Sequence, residues 1–119
     1  MQFKKEQRLL KPRQFSYVFD KADYRASRGC LLLLARKQPE KDRGCARLGL
    51  IVAKKHLKKA VDRNRIKRCS REQFRRQALS LAGLDIIMLL RGRPSDRDWD
   101  SLSANLAGLF ARLEQLTSA

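Results

Sequence analysis

Apolar positions recur along the chain with two periods, and the switches between them predict the elements. Phe15, Val18, Phe19 and Ala22 fall at helical spacing behind Pro12, a residue suited to a first helical turn, so a short helix is expected over about Pro12 to Lys21. Cys30 to Ala35 is a continuous apolar run bounded by Gly29 and by Lys37-Gln38-Pro39, which fits a strand. Gln38 to Gly44 is charged and holds Pro39 and Gly44, so it reads as a loop. Arg47 to Ala53 predicts a second strand, with Leu48, Leu50 and Val52 on one side and Gly49, Ile51 and Ala53 on the other. The small Gly49 and Ala53 leave that second side open to a close neighbour.

From about Ala60 to Leu81 there is neither Gly nor Pro, and the composition favours a long helix. At 100° per residue Ile66, Cys69, Ser70, Gln73 and Gln77 share one arc, and Asn64, Arg68, Arg71 and Arg75 the opposite one. Gly83 ends the helix, Leu84 to Leu90 predicts a third strand, and Gly92 to Pro94 breaks the chain. A last helix, about Trp99 to Leu116, carries Leu102, Leu106, Leu109, Phe110 and Leu113 as a stripe that must pack on something. Asp98 is its candidate N-cap, Asp96 and Asp100 its neighbouring acids, and Trp99 its anchor on the sheet. The order α-β-β-α-β-α predicts an α+β fold, one small sandwich over residues 1–119, with 1–8 and 117–119 expected as flexible ends.

Composition then narrows the partners. The 119 residues include 28 Lys and Arg against 12 Asp and Glu, a net charge of +16, while 43% hydrophobic residues suffice for one modest core. A polyanion partner follows, nucleic acid first and an anionic membrane surface second. The apolar runs are far shorter than a bilayer span. No apolar stretch of secretory type follows Met1 to Glu6, so a cytoplasmic location and no membrane partner are expected. Cys30, Cys45 and Cys69 are odd in number and widely spaced, which disfavours a disulfide framework or a zinc site; reduced, partly buried thiols are expected. The scattered acids also disfavour a metal-dependent nuclease site on this chain, and Asp96, Asp98 and Asp100 lack the Gly and Glu of a calcium loop. His56 has no companion carboxylate or nucleophile in the pattern and reads as a loop residue beside the nucleic-acid partner rather than a general base.

The positive charge is concentrated. Between Arg47 and Arg76 twelve Lys and Arg stand against Asp62 and Glu72, so this block carries +10. Its centre is Lys54-Lys55, then seven residues, then Arg63-Asn64-Arg65-Ile66-Lys67-Arg68 and Arg71-Glu72. A helix start favours phosphate, guanidinium forks grip phosphate oxygens, and an Asn among them reaches phosphate or sugar. A solvated, salt-bridged helix face is the ordinary meaning of a charge run, but two acids cannot compensate so many cations.

Arg47-Leu-Gly-Leu-Ile-Val-Ala-Lys-Lys55, with Ala60-Val-Asp-Arg63-Asn-Arg-Ile-Lys-Arg68 and Arg71-Glu72, resembles the signature of the protein subunit of bacterial ribonuclease P. The similarity extends more weakly over about Leu9 to Leu116. The resemblance implies a ribonucleoprotein in which the RNA is the catalyst. With Mg²⁺ bound mainly by the RNA, it hydrolyses a phosphodiester to remove the 5′ leader of precursor tRNA. The protein would bind the catalytic RNA and the leader, contribute no catalytic residue and need no protein partner. The resemblance further implies a central sheet with a left-handed crossover around the basic helix, against the usual hand. By position, Lys54, Lys55, Arg63, Asn64, Arg65, Lys67, Arg68 and Arg71 would contact RNA. Phe15 and Phe19, one helical turn apart, would line the leader-binding cleft, with Ile51 and Ala53 as its floor. Two Phe at this spacing would otherwise read as core. Some members carry a Tyr on the first strand where this chain has Leu31 to Leu34. The competing reading is a ribosomal or RNA-chaperone protein that only neutralises phosphate, and it assigns no role to the two Phe.

Overall fold

The computed structural model describes residues 11–118, so the expected flexible segment 1–8 and Ala119 lie outside the described residues. Helix α1 is Pro12–Asp20, followed by strands β1 Tyr24–Arg28, β2 Leu31–Lys37 and β3 Arg47–Ile51. Helix α2, Ala60–Gln77, leads to β4, Leu84–Leu90, and then to α3, Asp96–Asp100, and α4, Leu102–Ser118. The four strands form one sheet in the order β1-β2-β4-β3. β1 with β2 and β2 with β4 are antiparallel, whereas β3 and β4 run parallel with α2 as their crossover.

Strand β1 is an addition to the expected order, and its composition explains why no apolar run announces it. It sits at the sheet edge, and in Tyr-Arg-Ala-Ser-Arg only Ala26 is buried. Exposed Arg25 and Arg28 suit such an edge, because charge discourages pairing with another chain. Gly29 opens the turn to β2 at φ +54°, the conformation a two-residue hairpin asks of its first turn residue. The Arg28 guanidinium reaches across to α4 at Gly108, where an added Cβ would lie 2.6 Å from Nη1.

Two layers of side chains flank the sheet. On one face Leu31, Leu33, Ala35, Leu48, Ile86, Met88 and Leu90 pack with Ile66 and Phe74 of α2 and with the α4 stripe Leu102, Leu106, Leu109, Phe110 and Leu113. Phe74 meets Phe110 at 6.0 Å between ring centroids. On the other face Leu32, Leu34 and Ile87 enclose Val18 of α1, with Phe15, Tyr17, Ile51 and Leu89 partly buried around them. The central strands β2 and β4 are thus buried on both faces, which is why they read as continuous apolar runs.

A polar knot closes one end of the sheet. Asp85, 1% exposed, receives Nε of Arg47 at 2.6 Å and Nη2 at 2.8 Å across the β3–β4 pair. Buried Gln38 donates its amide to Asp85 Oδ1, Cys45 O and Leu84 O and accepts the Gly44 N–H, which fixes the loop between β2 and β3.

The last helix departs from expectation at both ends. Ser95, not Asp98, is the N-cap of α3. Its Oγ accepts the Asp98 N–H at 3.1 Å, and Asp98 Oδ2 accepts the Ser95 N–H at 2.9 Å, a reciprocal capping box. A break at Ser101 divides α3 from α4, and α4 continues through Ser118, taking in two residues expected as a loose tail. The long helix α2 stops at Gln77 rather than Leu81, and its buried arc takes Phe74 in addition to Ile66, Cys69, Ser70 and Gln73. All three cysteines are free thiols, but Cys45 is exposed rather than partly buried because it lies in the loop that Gln38 holds by backbone atoms.

Candidate nucleic-acid interface

The basic segment begins where β3 leaves the sheet. Lys54 and Lys55 stand exposed in a turn whose His56 and Leu57 N–H groups both donate to Ala53 O, and buried Leu57 pins the turn to the larger core. Lys59 is the extended residue before α2, at φ −80° and ψ 127°. Arg63 is half-buried, and its Nη1 donates to Leu57 O at 2.7 Å and Lys58 O at 2.8 Å. This side chain therefore shapes the loop that presents the lysines. It acts as a clamp on that loop.

Beyond the clamp, Asn64, Arg68 and Arg71 are exposed on the α2 face opposite its buried arc, as the helical phase predicts, with Lys67 half-buried at their flank. Together with Glu72 and Arg75 they line an open concavity of about 490 Å³. Glu72 is the single acid in that lining. A ridge of guanidinium and ammonium groups with one carboxylate keeps most of its positive potential, and such a ridge attracts a polyanion by releasing its counterions. Arg65 turns aside from the ridge: its guanidinium lies 5.0 Å from the centroid of the Trp99 ring in α3.

The other expected set lies across the sheet. Phe15 and Ile51 pack against the same small core around Val18, half-buried, while Phe19 is 47% exposed one helical turn on. Ala53 is half-buried two residues past Ile51. Helix α1 rests on β2 and β4, so the margin over β3 holds apolar surface that the helix does not fully cover. Leu32 and Leu34 of β2 are buried under α1. The ridge and this apolar margin are joined through the chain itself, since Ile51 and Ala53 lead directly into Lys54 and Lys55.

Three features escape the sequence pattern. The Arg63 clamp acts on backbone carbonyls, which leave no mark in composition. The Arg65–Trp99 contact joins residues far apart in sequence. A second basic hollow of about 510 Å³, between Lys11, Arg13, Tyr17, Lys41 and the Arg47–Asp85 pair, also assembles from distant segments. There the Tyr17 hydroxyl donates to Lys37 O at 2.7 Å, and the Arg36 guanidinium sits 3.9 Å over the Tyr17 ring.

A small sheet with a predominantly basic helix on one face and a partly uncovered, aromatic-edged apolar margin on the other has the layout of a nucleic-acid-binding α+β protein. The family model for ribonuclease P matches residues 3–114. Over 113 residues the chain is 45% identical to the ribonuclease P protein component of Stutzerimonas stutzeri, covering 95% of this chain and 84% of that one. It is 40% identical to that of Alcanivorax borkumensis, covering 93% and 89%. Among solved structures, the RNase P protein of Thermotoga maritima superposes with a TM-score of 0.63 at 26% identity, covering 92% of this chain and 93% of the other. That of Staphylococcus aureus superposes with a TM-score of 0.69 at 23% identity, covering 93% and 94%.

The chain belongs to the ribonuclease P protein family. It is the RNA-binding protein subunit of the ribonucleoprotein endonuclease that matures tRNA 5′ ends. Among the described residues no helix is long and apolar enough to cross a membrane.

Proposed function

We propose a division of the RNA contacts between the two faces of the sheet. The α2 ridge, with Lys54, Lys55, Asn64, Lys67, Arg68 and Arg71, binds phosphates of the catalytic RNA. The cleft of Phe15, Phe19, Ile51 and Ala53 takes unpaired bases of the precursor tRNA leader. The observation that carries this reading is the continuity from Ile51 and Ala53 into Lys54-Lys55, which brings an apolar strip for leader bases up to the cations that meet the catalytic RNA. Stacking on aromatic rings tolerates any base, as a subunit serving many precursors needs. Arg63 holds the loop between the two regions in shape.

Mg²⁺ belongs with the RNA in this reading. Among the described residues no three His, Cys, Asp or Glu side chains converge on a common point, and Asp62 and Glu72 stand singly among cations. A Mg²⁺ ion keeps several waters and takes phosphate oxygens, which the nucleic acid supplies in abundance. The protein's part is to neutralise phosphate where two polyanions meet and to hold the leader. A cytoplasmic site of action accompanies that role.

Precursor and mature tRNA, bound to the assembled ribonucleoprotein, separate this reading from simple neutralisation. Phe15→Ala combined with Phe19→Ala is expected to weaken binding of precursor tRNA and leave mature tRNA unaffected. Equal effects on the two, or none, would favour a phosphate neutraliser.

A further inference from the structure

Beside the ridge, a further hollow joins an indole ring to charged groups. It lies between α2 and the α3–α4 junction, has a volume of about 440 Å³, and is lined by Trp99, Arg65, Arg68, Glu72, Asp100 and Ser103 among others. Trp99 is half-buried at the margin of the larger core, which holds its ring in place, and the Arg65 guanidinium lies 5.0 Å from the ring centroid. The Ser103 hydroxyl is engaged with Cys69 Sγ at 3.2 Å and belongs to the floor.

We propose that this hollow binds an unpaired base of the catalytic RNA, stacked on the Trp99–Arg65 pair. The inference rests on the RNA-binding reading of α2 and extends it to α3. Three observations support the occupant. First, Arg68 lines both this hollow and the ridge, so the two surfaces are continuous and RNA lying along α2 passes its mouth. Second, the lining matches a nucleotide: an indole and a guanidinium plane for stacking, Arg68 for a flanking phosphate, and the Glu72 and Asp100 carboxylates as acceptors for base amino groups. Third, the hollow lies on the α2 side of the sheet and the leader cleft on the α1 side, which assigns the base to the catalytic RNA.

Trp99 is the sole tryptophan, so intrinsic indole emission reports on this hollow alone. The full-length protein is titrated with ribonuclease P RNA and, separately, with precursor tRNA. Affinities of the natural chain and of Trp99→Leu, which keeps an apolar wall without a stacking face, are then compared at several salt concentrations. Thermal melts confirm that the variant folds. The expected result is quenching by ribonuclease P RNA that saturates with complex formation, weaker quenching by precursor tRNA, and binding of Trp99→Leu about five- to tenfold weaker with an unchanged salt slope. Unquenched emission in a complex that has formed, or equal affinity of Trp99→Leu, overturns the proposal. Failure of the natural chain to bind either RNA would instead remove the RNA-binding reading on which it rests, and the proposal with it.

Discussion

The Arg47–Asp85 pair ties the first residue of β3 to β4, and the two partners differ sharply in burial. Asp85 is 1% exposed, while the Arg47 side chain keeps 21% of its surface. Removing each in turn should therefore cost different amounts. Arg47→Met retains the aliphatic stem but leaves a carboxylate out of water with the Gln38 amide as its remaining partner. Stranding one member of a buried pair costs about 3–5 kcal/mol. Asp85→Asn leaves the cation instead, but Arg47 reaches solvent from where it stands, so the loss is about 1–3 kcal/mol of hydrogen bonding and desolvation. At about 4 °C of melting temperature per kcal/mol for a chain of this size, the drops are about 12–20 °C and about 4–12 °C. Thermal unfolding followed by circular dichroism at pH 7 reads both, and urea titration gives the free energies directly. A larger loss for Asp85→Asn than for Arg47→Met, or losses below about 1 kcal/mol for both, would refute the reasoning from burial.

Further expectations follow from the interface. Arg68→Ala should reduce the slope of log affinity for ribonuclease P RNA against log salt by about one and leave the melting temperature unchanged; an unchanged slope would mean that this guanidinium faces only solvent. Arg63→Ala should weaken RNA binding and also speed amide exchange at His56 to Lys59, because it frees the carbonyls of Leu57 and Lys58; a binding loss with unchanged exchange would make Arg63 a phosphate ligand alone. Burial and, next, the nearby Asp98 carboxylate raise the Cys30 thiol to about 11. Iodoacetamide at pH 8 should therefore modify exposed Cys45 at least about ten times faster than Cys30, and mapped alkylation at equal rates would contradict this. The sign is that of an acid kept neutral by folding: the stability Cys30 contributes is complete below the thiol's ordinary value of 9.0 and is lost as pH rises toward 11.

Much of this architecture is legible in the chain because local chemistry and tertiary role agree. The α4 stripe is buried as its spacing requires, and the phase of α2 separates its docked and charged arcs correctly except at Phe74. Phe74 stands at the edge of the sheet-facing arc and is buried by Phe110 of α4, a neighbour the helix's own sequence does not reveal. Strand β1 is hidden because one buried alanine satisfies an edge, and the Ser95 cap because Asp98 is an equally good acid at the third helical position. At the interface, residue type and spacing identify the cations but not where each one points. Arg63 and Arg65 belong to the same motif, yet one folds back on the Lys54–Lys59 loop and the other turns to Trp99. Those orientations depend on atoms supplied by other segments.

The most direct test of the subunit's role combines the purified protein with ribonuclease P RNA and a precursor tRNA at low Mg²⁺. The expected result is removal of the leader when both macromolecules are present, little cleavage by the RNA alone, and none by the protein alone. Cleavage by the protein alone, or RNA activity that the protein does not raise, would contradict the assignment of catalysis to the RNA and of phosphate and leader binding to this chain.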